Sequence, residues 1–264
     1  PPTLSAGRCL FGTRNGFVYC LRASDGAMIW RFRAAPQDRR VVAYEQLESS
    51  WPVHGSVLAD ADTIYVAAGR SARMDGGIRI HALDVRTGGL VRKADVRMTG
   101  GGGTNVIRQS VLLDILSIEN DTVWMRGLGV DKNLAPVQDQ PHLFAPRGFL
   151  DSTWWHRTYW VYGTEVGGGY SHWPDAGNAV PAGRLLVFDG GKHIYGYGRL
   201  RYRMGDGHVR PNATEDYKLF AEVLAPEPQT RQDQRGETKE VAGRREIKWA
   251  TNLPFVATSI VLTR

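Results

Sequence analysis

Cysteine is almost missing from this chain, with only Cys9 and Cys20 among 264 residues, and the two are not adjacent. A small scaffold stapled by disulfides is thereby excluded. Long apolar runs are missing too. The stretch from Val111 to Ile118 is interrupted by Asp114 and falls far short of the roughly 20 residues that a spanning helix needs. Charge of one sign is not concentrated anywhere. There are 33 Lys+Arg against 27 Asp+Glu, and the basic residues are scattered (Arg39-Arg40, Arg199, Arg201, Arg203, Arg244-Arg245). With neither a basic face nor a recognisable module, no nucleic-acid partner is expected. No initiating Met, secretory signal or lipid-attachment Cys opens the sequence, which begins Pro1-Pro2-Thr3-Leu4. That start reads as the interior of a repeat, so the expectation is a piece of a longer protein.

Glycine, by contrast, is plentiful at 31 residues, with 13 Pro, which points to a turn-rich, strand-rich globular chain. Self-similarity gives that composition a shape. Ser56 to Tyr65 returns without a gap at Leu186 to Tyr195, and Asp62-Thr63-Ile64-Tyr65-Val66 returns as Asp121-Thr122-Val123-Trp124-Met125. Leu4 to Phe11 fits the same template, with Ala6-Gly7 as its turn. Each copy reads strand, short polar turn, strand: a β-hairpin. A second hairpin follows in the first two copies. Phe17-Val18-Tyr19-Cys20-Leu21 runs through Ser24-Asp25-Gly26 to Ala27-Met28-Ile29-Trp30. Likewise Ile78 to Asp84 runs through Arg86-Thr87-Gly88 to Gly89-Leu90-Val91-Arg92. Two hairpins make a four-stranded antiparallel blade, which must stack on neighbours to bury both faces. Hairpins are expected at 8–21, 63–83 and 185–198, with negligible helix.

Pairing the strands around Asn15-Gly16 puts Cys20 opposite Phe11 and Cys9 one diagonal step away on the same face. A diagonal is too long for a disulfide, so both thiols are expected free and buried.

The run Ala82-Leu83-Asp84-x-x-Thr87-Gly88, after alternating apolar residues, resembles the signature of PQQ-like β-propeller repeats, found in quinoprotein alcohol dehydrogenases and BamB-type outer-membrane assembly lipoproteins. The resemblance implies an all-β propeller of four-stranded antiparallel blades. About four blade equivalents over residues 1–264 would make an incomplete ring. It also implies that Trp30, four residues past the Asp25-Gly26 turn, docks between blades, with Asp84, Thr87 and Gly88 forming the matching turn. The second copy departs, with Arg92 at the Trp position. A periplasmic or cell-envelope location follows from the resemblance alone, and the remaining blades would come from a longer parent chain.

Three stretches exceed ordinary turns. Residues 33–54 link the first two blades and leave room for one helical turn near Tyr44 to Glu48. Residues 225–246 are almost wholly polar and read as an exposed loop. Residues 131–182 form an aromatic-rich insertion without repeat character. Within it Trp154, Trp155, His156, Arg157, Trp160, Glu165, His172 and Trp173 are the candidate ligand-binding residues, since aromatic rings beyond core needs suit binding surfaces. Packing of the insertion against a propeller face accounts for the same aromatics, and both readings stand. Spacings of fourteen and sixteen residues between His142, His156 and His172 match no tight metal motif, so no metal is expected.

Two functions compete. One is a non-catalytic binding or scaffold module for a protein, peptide or glycan. The other, implied by the resemblance, is a quinoprotein oxidoreductase holding PQQ and Ca²⁺. Many such enzymes carry adjacent cysteines that stack on the quinone, and this sequence has none. The binding module is therefore the expected function, without a cofactor.

Overall fold

In the computed structural model the structure describes residues 2–43, 45–97, 112–137, 140–145, 159–163, 180–201, 217–224, 229–232, 238–241 and 245–263. Every regular element among them is a β-strand. Strands β1 to β14 build one compact unit and β15 to β23 another.

The first sheet is an up-and-down meander of β1 (Thr3–Ser5), β2 (Arg8–Gly12), β3 (Phe17–Arg22) and β4 (Met28–Arg33). Its opening turn has consecutive positive φ at Ala6 (45°) and Gly7 (73°), the twist that tight hairpins need. Period-two alternation then sorts β3: Val18 and Cys20 are buried, while Phe17, Tyr19 and Leu21 are half-buried on the other face. A hairpin, β5 (Arg40–Ala43) with β6 (Gln46–Ser49), stands in the connector where the sequence allowed a helical turn. Its turn is carried by Glu45 at φ 61°. Backbone N–H groups of Ser49 and Ser50 donate to the carbonyls of Arg14 and Arg39, which holds the segment extended.

The second sheet comprises β7 (Leu58–Asp60), β8 (Thr63–Ala68), β9 (Ile78–Asp84) and β10 (Leu90–Val96). The third comprises β11 (Ser117–Glu119), β12 (Thr122–Met125), β13 (Leu128–Asp131) and β14 (Pro136–Val137). The three sheets stack by their faces. Leu10, Val18, Cys20 and Trp30 of the first share a core with Ile64, Val66, Leu83 and Val85 of the second. Tyr65, Ala67, Ile78, Ile80 and Ala82 on the second sheet's other face share one with Val123, Met125, Leu128 and Val130 of the third.

In the second unit β15 (His142–Phe144), β16 (Trp160–Gly163) and β17 (Ala182–Gly183) form a three-stranded sheet. A four-stranded sheet follows from β18 (Leu185–Phe188), β19 (His193–Arg199), β20 (Tyr217–Val223) and β23 (Ile247–Asn252). Between β20 and β23 lies a separate hairpin of β21 (Gln229–Gln232) and β22 (Thr238–Val241), inside the stretch read from sequence as a polar loop. The hairpins expected at 8–21, 63–83 and 185–198 are present as β2–β3, β8–β9 and β18–β19.

One register differs from expectation. Cys20 pairs with Leu10 and Cys9 with Leu21, so the two thiols point to opposite faces of the sheet. Both are free; Cys20 is buried and Cys9 half-buried. The cause is Thr13, whose hydroxyl donates to the Phe17 carbonyl and accepts from the Phe17 N–H. With the backbone N–H of Thr13 also donating to that carbonyl, Thr13 and Phe17 face each other across a three-residue loop in place of a two-residue turn, which slips the pairing by one.

His81, 5% exposed on β9, sits edge-on to Phe32 of the first sheet with ring centroids 5.3 Å apart. Burial first, then the nearby Arg79 and, more weakly, Lys93 push its pKa down to about 4, with Asp95 opposing them. The folded chain keeps this imidazole neutral while the unfolded chain protonates it below its ordinary value of 6.5. Stability is therefore full above that value and falls as pH drops from 6.5 toward 4. Between pH 7 and pH 5 the loss from His81 should be about 2 kcal/mol. Urea titrations at the two pH values should show a correspondingly smaller drop in His81→Leu.

Candidate functional site

The turns between the third and fourth strands set up the joint between sheets. In the second sheet the Asp84 carboxylate accepts from the backbone N–H of Arg86 (3.0 Å) and Thr87 (2.8 Å) and from the Thr87 hydroxyl (2.9 Å). The Thr87 N–H bond foremost holds the Asp84 pKa below its ordinary value. This cap leaves Gly88 at φ 70°. A Cβ there would lie 2.6 Å from the Trp30 ring, so only glycine admits the indole. Trp30 is 8% exposed and donates its ring N–H to the Val85 carbonyl at 3.1 Å. The first sheet makes the same turn with other groups: Arg22 pairs with Asp25 at 2.8 Å, and the Asp25 carboxylate accepts from the Ala27 N–H. Gly26 has nearly the same φ, 73°, but no atom stands within 4 Å of where its Cβ would be.

The first and second sheets match strand for strand. Cys9–Leu21 and Phe11–Tyr19 are cross-strand pairs in the first, and Ile64–Leu83 and Val66–His81 are the corresponding pairs in the second. Ile64, Leu83, Val66 and His81 are covered by the first sheet and buried to 5% exposure or less. Cys9, Leu21, Phe11 and Tyr19 are only half-buried. This face of the first sheet is the candidate binding surface.

Its floor is aromatic. Phe11 stacks on Tyr19 at 5.5 Å with ring planes 12° apart, and Phe17 lies 6.4 Å from Tyr19. The Arg31 guanidinium sits 4.9 Å from the Phe17 ring centre. Beside these rings a cavity of about 310 Å³ is lined by Asn15, Phe17, Tyr19, Arg31, Arg33 and Arg40 among others. The carboxylate at its edge, Asp38, is paired with Arg40 at 3.4 Å. One guanidinium over an aromatic ring, with Arg33 and Arg40 also lining the cavity, suits a carboxylate-bearing ligand with a flat apolar group.

Buried carboxylates elsewhere act as pins. Glu48, 1% exposed, is paired with Arg70 and lies 3.5 Å from Arg14 and 3.7 Å from His54. Burial holds the His54 pKa low even though Glu48 pulls it upward. In the second unit Glu222 and Arg245 form a two-pronged pair at 2.8 and 2.9 Å, both almost fully buried.

Of the candidate residues in the aromatic-rich stretch, Trp160 lies on β16 opposite Gly183 and is half-buried. Trp154, Trp155, His156, Arg157, Glu165, His172 and Trp173 lie outside the described residues. Phe11, Phe17, Tyr19, Arg31 and Arg33 carry the surface instead and were not singled out from sequence. Their alternation is visible there, but both faces of β3 are apolar, so periodicity alone does not tell which face a neighbour covers.

Among the described residues no three of His, Cys, Asp and Glu converge as a metal set. Cys9 and Cys20 stand on opposite faces of one sheet. No helix among the described residues is long and apolar enough to cross a membrane.

No family model and no curated protein matches the chain. Solved structures similar to it include BamB from Moraxella catarrhalis, at 14% identity and TM-score 0.40, covering 100% of this chain and 63% of that one. Another is the quinohemoprotein alcohol dehydrogenase from Comamonas testosteroni, at 16% identity and TM-score 0.40, covering 97% and 42%. A europium-containing methanol dehydrogenase is similar at 14% identity and TM-score 0.37, covering 97% and 51%. The chain spans less than two thirds of the length of each. With its recurring four-stranded antiparallel blades, the chain resembles the PQQ-like β-propeller proteins.

Proposed function

We propose that this chain is a non-catalytic binding or scaffold module of the cell envelope, and that its partner is a protein or peptide engaged through the exposed face of the first sheet. One observation carries the reading. Phe17 and Tyr19, with Phe11 stacked on Tyr19, line a cavity of about 310 Å³ together with Arg31, Arg33 and Arg40. Aromatic rings with arginine at a partly enclosed surface are the residue types that dominate binding energy at protein interfaces.

A synthetic peptide with one tryptophan flanked by glutamates should bind, and a lysine-flanked version should not. Charge reversal in Arg31→Glu with Arg33→Glu should weaken the acidic peptide roughly ten-fold or more. The substituted side chains are exposed, so the fold should be unchanged by circular dichroism. Equal binding of both peptides, or of neither, would overturn the proposal.

A further inference from the structure

The joint between the first two sheets encloses an ionisable ring. His81 lies on β9 at 5% exposure, edge-on to Phe32 of β4. Its Nδ1 is buried with no hydrogen-bond partner among the described residues. Such a setting accommodates an imidazole only as the neutral ring.

The charges around the ring offer a proton no free counterion. On its own sheet His81 stands opposite Val66 of β8 and Lys93 of β10. Arg79 and Lys93 both disfavour a positive ring, and Asp95 opposes them. The Asp95 carboxylate is already held by Arg79 and Arg97, each at 3.1 Å. From the first sheet, β4 meets the joint with Trp30 and Phe32. Alternation turns Arg31 and Arg33 to the other face, where they stand opposite Tyr19 and Phe17. The connector adds Ala34, Ala35, Trp51 and Val53 to the same core, and no charge.

β4 is also the outer strand of its sheet, bonded to β3 alone. Phe32 is half-buried, so a small displacement of this strand admits water to the ring. The third sheet packs on the far face of the second and takes no part in the contact.

We infer that His81 is an acid-operated latch: its protonation parts β4 from the second sheet locally, lifting Phe32 off the ring and drawing Trp30 from its place above Gly88, while the third sheet stays folded against the second. The opened joint binds the proton at the ordinary value of 6.5 and the closed joint only near 4, so each pH unit lost between them favours opening about ten-fold.

Cys20 reports the opening. It pairs with Trp30, is 0% exposed and belongs to the core of the joint, whereas Cys9 stands on the opposite face. In the full chain, the rate of Cys20 labelling by dithiodipyridine is taken relative to Cys9, which cancels the pH dependence of thiol chemistry. This ratio should rise roughly twenty-fold from pH 7 to pH 5. The rise should be insensitive to low urea, because a local opening exposes little surface. Over the same range amide exchange should increase in β4 and leave β12 and β13 protected. His81→Leu should abolish the rise. Lys93→Glu, an exposed substitution that sets a carboxylate opposite the ring, should shrink it roughly three-fold. A ratio that stays flat between pH 7 and pH 5, a rise that persists in His81→Leu, or one that follows urea with the slope of global unfolding overturns the inference.

Discussion

Arg245→Ala should destabilise the second unit by about 3–5 kcal/mol, the cost of leaving one member of a buried ion pair without its partner. The Arg245 and Glu222 side chains are 5% and 0% exposed, and two short bonds join them. The guanidinium also lies 5.6 Å from the Phe220 ring and reaches the carbonyls of Leu200 (3.4 Å) and Ala182 (3.5 Å). It thereby ties the four-stranded sheet to β17. Glu222→Ala should be comparably damaging. The paired replacement Glu222→Leu with Arg245→Met should recover most of the loss, because apolar side chains of similar volume need no compensating charge. Urea unfolding of the four proteins separates the cases. If the pair is as unstable as either single variant, packing rather than an orphaned charge sets the effect.

Trp30→Ala should cost about 3–5 kcal/mol, the range for emptying a large aromatic site in a core. The indole contributes twice, by filling the space above Gly88 and by satisfying the buried Val85 carbonyl. Trp30→Phe keeps most of the apolar contact and loses the hydrogen bond, so it should cost about 1–3 kcal/mol. Gly88→Ala tests the same joint from the other side, since its methyl would lie 2.6 Å from the ring at a φ that disfavours a side chain. A loss below about 1 kcal/mol in Trp30→Ala would mean that the two sheets stack without their plug.

The second joint is built differently, and residue types explain it. Arg92 stands on β10 where Trp30 stands on β4, and it is exposed. The turn after β13 is one residue shorter, with Asp131 accepting from Asn133 and Ala135. Its positive-φ position is Leu134, at 64°. A branched side chain is costly in that conformation, yet here it is 4% exposed and part of the shared core. Leucine from the receiving sheet fills the place that tryptophan from the donating sheet fills at the first joint.

Much of the fold was legible because hairpins are local. Turn residues, period-two alternation and the 130-residue recurrence sufficed to locate β2–β3, β8–β9 and β18–β19. The hairpin β5–β6 was not legible, since Tyr44 to Glu48 carries no strand pattern of its own. Bonds from Ser49 and Ser50 to distant carbonyls hold it. The cysteine register failed for a related reason: Thr13 and Phe17 are joined by backbone and side-chain bonds across a three-residue loop, which composition does not show.

By itself the sequence determined that this protein is built of antiparallel hairpins grouped in blades, because strand and turn preferences act within a few residues. It also set Trp30, the indole of the first joint, in a recognisable frame. Only the tertiary structure decided which face of each sheet is covered, and that Gly88 is occupied while Gly26 is open. Both faces of a propeller-type blade are apolar, so coverage depends on which sheet stacks on which, and stacking is a relation between segments far apart in the chain.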